Sequence, residues 1–540
     1  MARFIKDQGK LVRPQDYLEI ENALRRGATR RDVLGMLTAA GAGVAFAGGL
    51  ITTAERAVAA TPKRGGQIRF AWAQHGPSDT LDPILATNSI DYGRSRLTYN
   101  NLCRIAEDLT AGPELAESFE ANSAATEWTF KLRKGVEWHD GTPLTADDVI
   151  YSMNRHLGED SKSKAKVLVG DVREWVKDDQ HTVRAVLDAP NAELPVVLGT
   201  FHFKIVKEGT TDFQMPVGTG PYKVAEFKPG VRSIHTRNDN YWNDGRPYID
   251  QFEVFGITDA VARVNALLSG DIQMMGSLDP KAIPQVEETD GVEVFSVPSG
   301  SCNTVVARLD REPGNNPDFV MALKHLQRRD RVLNVIQKGH GDLGNDQPVG
   351  PAYGVDWCKE QGVRAYDPDK AKFLLNKSGV TSAQIDVANV ALGLLDRCLM
   401  LQRELAKLGV DLKLNRVPND GYWSTTWLKA PMHVGSWNMR PTANMMMTIG
   451  FKSDAPWNES RWKNERFDQL LAMARAELDP AKRYEMNCEM QRLCSDGSGV
   501  LIATHSAYID AKVSNLKGFP RVPLAPFGGM EWPEWVWLDA

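Results

Sequence analysis

Apolar and polar residues alternate along Gln67–Trp72, the period of a half-buried strand. The alternation is cleaner over 128–133, where Trp128, Phe130 and Leu132 share one face and Thr129, Lys131 and Arg133 the other. Residues 181–187 and 252–255 read as further strands. Elsewhere the period is helical. Thr145-Ala146-Asp147-Asp148 has the form of a capping box, with Asp in place of Glu or Gln, and opens a helix carrying Val149, Met153 and Leu157. Pro368 and Gly379 bracket a helix over 369–376. From Leu394 to Leu408 apolar residues recur at steps of three and four; Gly409 closes that helix and 410–414 is the next strand. Strands and helices interleave throughout, with no internal repeat and no low-complexity linker. This pattern predicts α/β lobes joined by chain crossings.

Length supports the plural. Single cores stop growing at about 250–300 residues, and this chain has 540. With 42% hydrophobic and 25% charged residues it is neither collagenous, disordered nor a multi-spanning membrane protein. A net charge of −5 leaves no bulk basic surface, so no nucleic-acid partner is expected. The N-terminus changes the picture further. Arg30-Arg31 precedes a Gly- and Ala-rich apolar run from Val33 to about Thr53, and Ala57-Val58-Ala59 follows as a small-residue cleavage site. That is the layout of a twin-arginine signal peptide spanning 1–59, cut near Ala59, and it predicts export to the periplasm through the twin-arginine machinery. Removing residues 1–59, with nine Lys/Arg and six Asp/Glu, moves the net charge from −5 to −8. All six cysteines lie after the signal, where an oxidising compartment permits disulfides. Fifteen full pairings are open and sequence does not choose among them; no CxxC or Cys/His cluster occurs, so small buried side chains are expected rather than a metal site.

Catalytic motifs are missing: no HxxxH, HExxH, GxSxG or P-loop occurs. In Gly218-Thr219-Gly220-Pro221-Tyr222 the proline removes an amide that a phosphate cradle needs. No cofactor or metal is predicted.

The run Glu127-Trp128-Thr129-Phe130-Lys131-Leu132-Arg133-Lys134-Gly135-Val136-Glu137-Trp138-His139-Asp140-Gly141-Thr142-Pro143-Leu144-Thr145-Ala146-Asp147-Asp148-Val149 resembles the signature of the extracellular solute-binding proteins of family 5. These are the peptide- and nickel-type receptors of ABC importers. Gly218–Tyr222, Asn240-Tyr241-Trp242 and Tyr366-Asp367-Pro368-Asp369-Lys370-Ala371 agree in order and spacing. The resemblance implies a two-lobed α/β periplasmic binding-protein fold with an inserted subdomain, its lobes closing by a hinge over a central cleft. It implies a first lobe of 65–107, 215–298 and 510–540, a subdomain of 108–214 and a second lobe of 299–509, with crossings near Val297-Pro298-Ser299 and Ala507. It further implies a monomeric, non-enzymatic receptor that hands a solute to an ABC permease with ATPase subunits. The rival reading is a twin-arginine-exported periplasmic enzyme with a bound cofactor.

In peptide binders of this family an acidic residue just after a Trp matching Trp437 meets the ligand ammonium. Here no acidic residue occurs from Trp437 through Phe451, and Arg440 stands there instead. A guanidinium fork fits a carboxylate bidentately, so an anionic solute, a peptide or an opine-like acid, is expected. Trp437, Asn438, Trp423, Trp457 and Trp72 are candidate cleft residues, with Ser301 and Asn303 as small polar partners near the crossing. Asn345 and Asp346 in a Gly-rich loop, Met445–Met447, and His75 and His433 as chelate ligands are weaker candidates.

Overall fold

The alternation of Trp128, Phe130 and Leu132 is realised as a strand whose inward side chains are buried in a core of their own. In the computed structural model this strand belongs to a satellite of a much larger sheet. The structure describes residues 62–539 except 389, 392, 420 and 421, together with an antiparallel pairing of Lys6–Asp7 with Lys10–Leu11. The paired arginines, the apolar run and the cleavage site lie outside the described residues. Residues 1–63 and 64–538 form separate units, and the fold described below is that of the second. Among the described residues no helix is long and apolar enough to cross a membrane.

In chain order the main elements are β1 (Gln67–Trp72), α1 (Ser89–Thr98), β2 (Ala116–Ala121), β3 (Glu127–Leu132), α2 (Ala146–Asn154), β4 (Val172–Asp179) and β5 (Thr182–Leu187). There follow β6 (Tyr222–Lys228), β7 (Arg232–Arg237), β8 (Gln251–Gly256), β9 (Met274–Met275), β10 (Val292–Ala307), β11 (Ser382–Val387), α3 (Leu394–Lys407), β12 (Asp411–Arg416), β13 (Met432–Trp437), α4 (Ala443–Phe451) and β14 (Thr504–Val513). One continuous mixed sheet runs β6-β7-β8-β1-β9-β14-β10-β13-β11-β12. The satellite is an antiparallel sheet in the order β2-β3-β5-β4. Its core takes Phe130, Trp138, Val149 and Val183 out of water, at about 1.5–3 kcal/mol for each large apolar side chain. Two lobes of α/β structure with an added subdomain are the result.

Local signals act as their chemistry requires. The Asp148 carboxylate accepts from the Thr145 amide at 2.8 Å, completing the box that starts α2. Asp147 instead pairs with Lys177 at 2.6 Å on the surface. The helix Pro368–Ser378 ends on Gly379 at φ 70°, a left-handed cap that favours glycine. The Gly218-Thr219-Gly220 segment serves close packing: a Cβ at Gly218 would fall 1.8 Å from the Thr98 carbonyl oxygen at the end of α1. His139 clamps it, Nδ1 accepting from the Gly218 amide at 3.1 Å and Nε2–H donating to the Gly220 carbonyl at 3.0 Å. The two motifs that looked separate in sequence are one contact.

The structure gives the pairing that the sequence leaves open. Cys103, Cys302, Cys398 and Cys494 are buried free thiols, but Cys358 and Cys488 form a disulfide across 130 residues of sequence. It ties the segment after Tyr353 to the helix Pro480–Gly497. Closing so long a loop restricts the unfolded chain, so the Cys358→Ala/Cys488→Ala double variant should lose about 2–5 kcal/mol of unfolding free energy in urea. Thiol titration of the denatured wild type should find four free thiols; six would show that the bond does not form.

Candidate functional site

The site is built where β13 ends. After Trp437 the chain turns through Asn438-Met439-Arg440-Pro441 and enters α4, whose N-cap Thr442 accepts from the Met445 amide at 3.1 Å. Pro441 disfavours a helical backbone at Arg440 and so keeps it ahead of the helix. The turn is pinned from below. The Arg440 amide donates to the Tyr353 hydroxyl at 3.3 Å, and the Met439 amide to Ser301 Oγ at 3.2 Å. Ser301 Oγ in turn donates to the Tyr508 hydroxyl at 3.1 Å. Tyr353 comes this close because residue 300 is glycine: a Cβ there would fall 2.3 Å from its ring.

Above the turn lies a cavity of about 530 Å³, within the size range of small-ligand sites. Trp72, Tyr92, Phe201, His202, Arg440 and Trp457 are among its lining residues. Tyr92 stacks on Phe201 with centroids 4.2 Å apart. The Arg440 guanidinium donates to the Asn438 carbonyl at 3.1 Å. Among the described residues no carboxylate lies within 4.0 Å of it. Desolvation lowers its pKa, partly countered by the hydroxyls of Tyr353, Tyr508 and Tyr92. Burial, reinforced by Arg440, pushes His202 down to about 4 against its bond to the Ala86 carbonyl, so the imidazole is neutral.

Of the residues read from the sequence, Arg440, Asn438, Trp457 and Trp72 line the cavity. Trp437, Trp423, Ser301 and Asn303 do not. Trp437 is buried behind the wall, its indole N–H donating to Glu459 at 3.0 Å. Trp423 sits at the exposed end of a tryptophan chain, 5.4 Å from Trp427, which lies 6.1 Å from Trp457. Ser301 supports the turn from beneath, and Asn303 lies within β10 opposite Ser436. Asp346 does not face the cleft. It is buried, accepting from Arg329 at 2.5 Å and Arg364 at 3.3 Å, while Asn345 accepts from the Arg364 amide at 2.8 Å. Met445–Met447 are buried in α4. His433 is buried with Nδ1–H donating to the Ala430 carbonyl, and His75 Nδ1 lies 3.3 Å from the Gly230 carbonyl. The one metal-like donor cluster among the described residues, Cys358-Glu360-Cys488, has both sulfurs in the disulfide. Tyr92, Phe201 and His202 escaped the sequence reading, because nothing in sequence links residues some hundred positions apart.

A model of bacterial extracellular solute-binding proteins, family 5, matches residues 110–459. The chain belongs to this family. The receptor is 26% identical over 506 residues to the dipeptide-binding protein of Escherichia coli K12, covering 84% of this chain and 92% of that one. Its fold matches the periplasmic binding protein DppA of Helicobacter pylori in complex with the peptide STSA (TM-score 0.74, 22% identity, 88% and 99% coverage). It also matches AgaA of A. tumefaciens R10 in complex with agropinic acid (TM-score 0.71, 22% identity, 88% and 99% coverage). The family is non-catalytic, which decides against the enzyme alternative.

Two carboxyl groups meet at the seam beside the receptor's cavity. Glu193 accepts from the Thr442 hydroxyl at 2.6 Å, and Asp356 from the Ala443 amide at 3.2 Å. Burial raises the Glu193 pKa, Asp356 raises it further, and Arg483 and Arg475 act against both. The folded protein therefore holds a proton that the unfolded chain has already released. Stability from this group is fully present below the ordinary Glu range, near 4.3, and is lost as pH rises through the higher folded value. Glu193→Gln keeps an oxygen for Thr442 and cannot ionise. In urea unfolding from pH 4 to 8 its stability should fall less steeply than that of the wild type, with Asp91 and Asp510 unchanged in both. Parallel curves would place the ionisation elsewhere.

Proposed function

We propose that the protein is the periplasmic receptor of an ABC importer and captures a small carboxylate-bearing solute, peptide-like or opine-like. It delivers the solute to a membrane permease with its ATPase subunits, acting as a monomer. The observation that carries this reading is Arg440, a guanidinium in the cavity wall without a carboxylate partner among the described residues. A cation losing water in a closing cleft needs an anion to offset the cost, and a solute carboxylate supplies it. The named ligands of the relatives, a dipeptide, a tetrapeptide and agropinic acid, are acids of this size class. In this reading the lobes are 65–107 with 215–298 and 510–540 on one side and 299–509 on the other, 108–214 being the inserted subdomain. They close by bending where β10 and β14 pass between them.

The test is calorimetric titration with the solute released from the purified protein and identified by mass spectrometry. Truncating one partner of a buried charged pair costs about 2–5 kcal/mol, so Arg440→Ala should bind roughly 30- to 4,000-fold more weakly. Arg440→Lys should also lose affinity, because an ammonium lacks the fork. Unliganded melting should be unchanged. Wild-type affinity in Arg440→Ala removes Arg440 from the site.

Export by the twin-arginine route, with cleavage near Ala59, belongs to the same proposal and rests on Arg30-Arg31 and Ala57-Val58-Ala59. Replacing both arginines by lysine should hold the uncut precursor in the cytoplasm on fractionation. Normal export of that variant would exclude the route.

A further inference from the structure

The cavity walls hold two cationic side chains, Arg440 and Lys164, and among the described residues no carboxylate lines them. Buried carboxylates do stand nearby, but each is committed to donors of the framework. Asp510 accepts from the amides of Ser277 at 3.0 Å and Phe527 at 2.6 Å. Glu459 accepts from the indoles of Trp427 at 2.7 Å and Trp437 at 3.0 Å, and from Thr304 Oγ at 3.0 Å. Glu193 and Asp356 are held by Thr442 and the start of α4. Nor does the imidazole add a charge. His202 Nε2–H donates to the Ala86 carbonyl at 3.1 Å, and burial together with the Arg440 charge keeps the ring neutral despite that bond. A solute ammonium enclosed here would lose water, meet the Arg440 guanidinium, with Lys164 exposed at the edge of the lining, and find no counter-ion. The aromatic faces of Trp457, Tyr92 and Phe201 offer it a cation–π contact, weaker than an ion pair. A carboxylate, by contrast, meets Arg440.

We propose that the cavity selects amine-free acids: a carboxylate for Arg440, no free ammonium, and an apolar or aromatic body against Trp457, Tyr92 and Phe201, as in an N-blocked peptide or an acyl-amino acid. This rests on the carboxylate reading of Arg440 and narrows it. Specificity arises as much from what the walls withhold as from what they offer, since an unpaired buried charge is penalised more than a paired one is rewarded.

Calorimetric titration of the ligand-stripped mature protein with a matched set tests it: Ala-Phe, N-acetyl-Ala-Phe and N-acetyl-Ala-Phe amide. N-acetyl-Ala-Phe should bind at least tenfold more tightly than Ala-Phe. Equal or tighter binding of the free dipeptide overturns the proposal, even where amidation abolishes binding and so upholds the carboxylate reading. If the acetyl amide binds as well as the acetyl acid, the carboxylate reading falls first, and the proposal with it. Absence of heat from the acetyl acid at millimolar concentration also overturns it, because this lining has to accept an amine-free aromatic acid. A primary amine on the solute released from the native protein, read by amine-reactive labelling and mass spectrometry, does the same.

Discussion

Backbone hydrogen bonds between β10 and β14 hold the two halves of the sheet in one antiparallel register, from Val292↔Val513 to Cys302↔His505, and break it at one place. Between Val297↔Tyr508 and Ser301↔Ser506, three residues on β10 face one on β14. The break brings Ser299, Gly300 and Ser301 beneath the Asn438–Pro441 turn and sets Tyr508 against the cavity. Without this pairing the walls would have no fixed separation. With it, the two halves of the one sheet stay joined on either side of the break.

A charged cluster lies behind Tyr92 and Phe201. Buried Arg96 and Lys204 and the partly exposed Arg104 gather around the buried Glu114, Glu531 and Glu534. The cluster joins α1, the strand after it, the segment that carries Phe201 and His202, and the C-terminal residues. Arg246 also reaches Glu534, at 3.8 Å, and removing a buried member of an ion pair leaves its partner uncompensated, typically at a cost of about 3–5 kcal/mol. Such a cluster adds little net stability over an apolar core but fixes geometry, and here it fixes the base of the wall on which Tyr92 and Phe201 stack.

Electrostatic commitment explains the character of the site. Carboxylates around the cavity accept from amides, indoles and hydroxyls, and Arg96 and Arg104 pair with glutamates. Arg440 is left with a single carbonyl. Among the described residues Arg263, Arg397 and Lys324 are also buried without a carboxylate, but each donates to two or more backbone carbonyls; Arg440 has one, and the proposed recognition rests on that difference.

Local chemistry made much of this legible from the chain alone. The period-two alternation of β3, the capping box of α2, the Pro368 and Gly379 brackets and the run of 127–149 each depend on neighbours within a turn or a strand, so their structure follows from their own residues. Arg440 was legible as a candidate because the family resemblance implies an acid after Trp437, and this chain has an arginine there and no acid through Phe451. Tertiary structure alone decided the rest. It drew Cys358 to Cys488, took Trp437 and Asp346 into the interior, left Trp423 at the rim and supplied Tyr92, Phe201 and His202. These outcomes depend on which side of a distant element each residue meets, and sequence spacing carries no information about that. Burial and partnership of a charged or aromatic side chain are properties of the assembled surfaces around it.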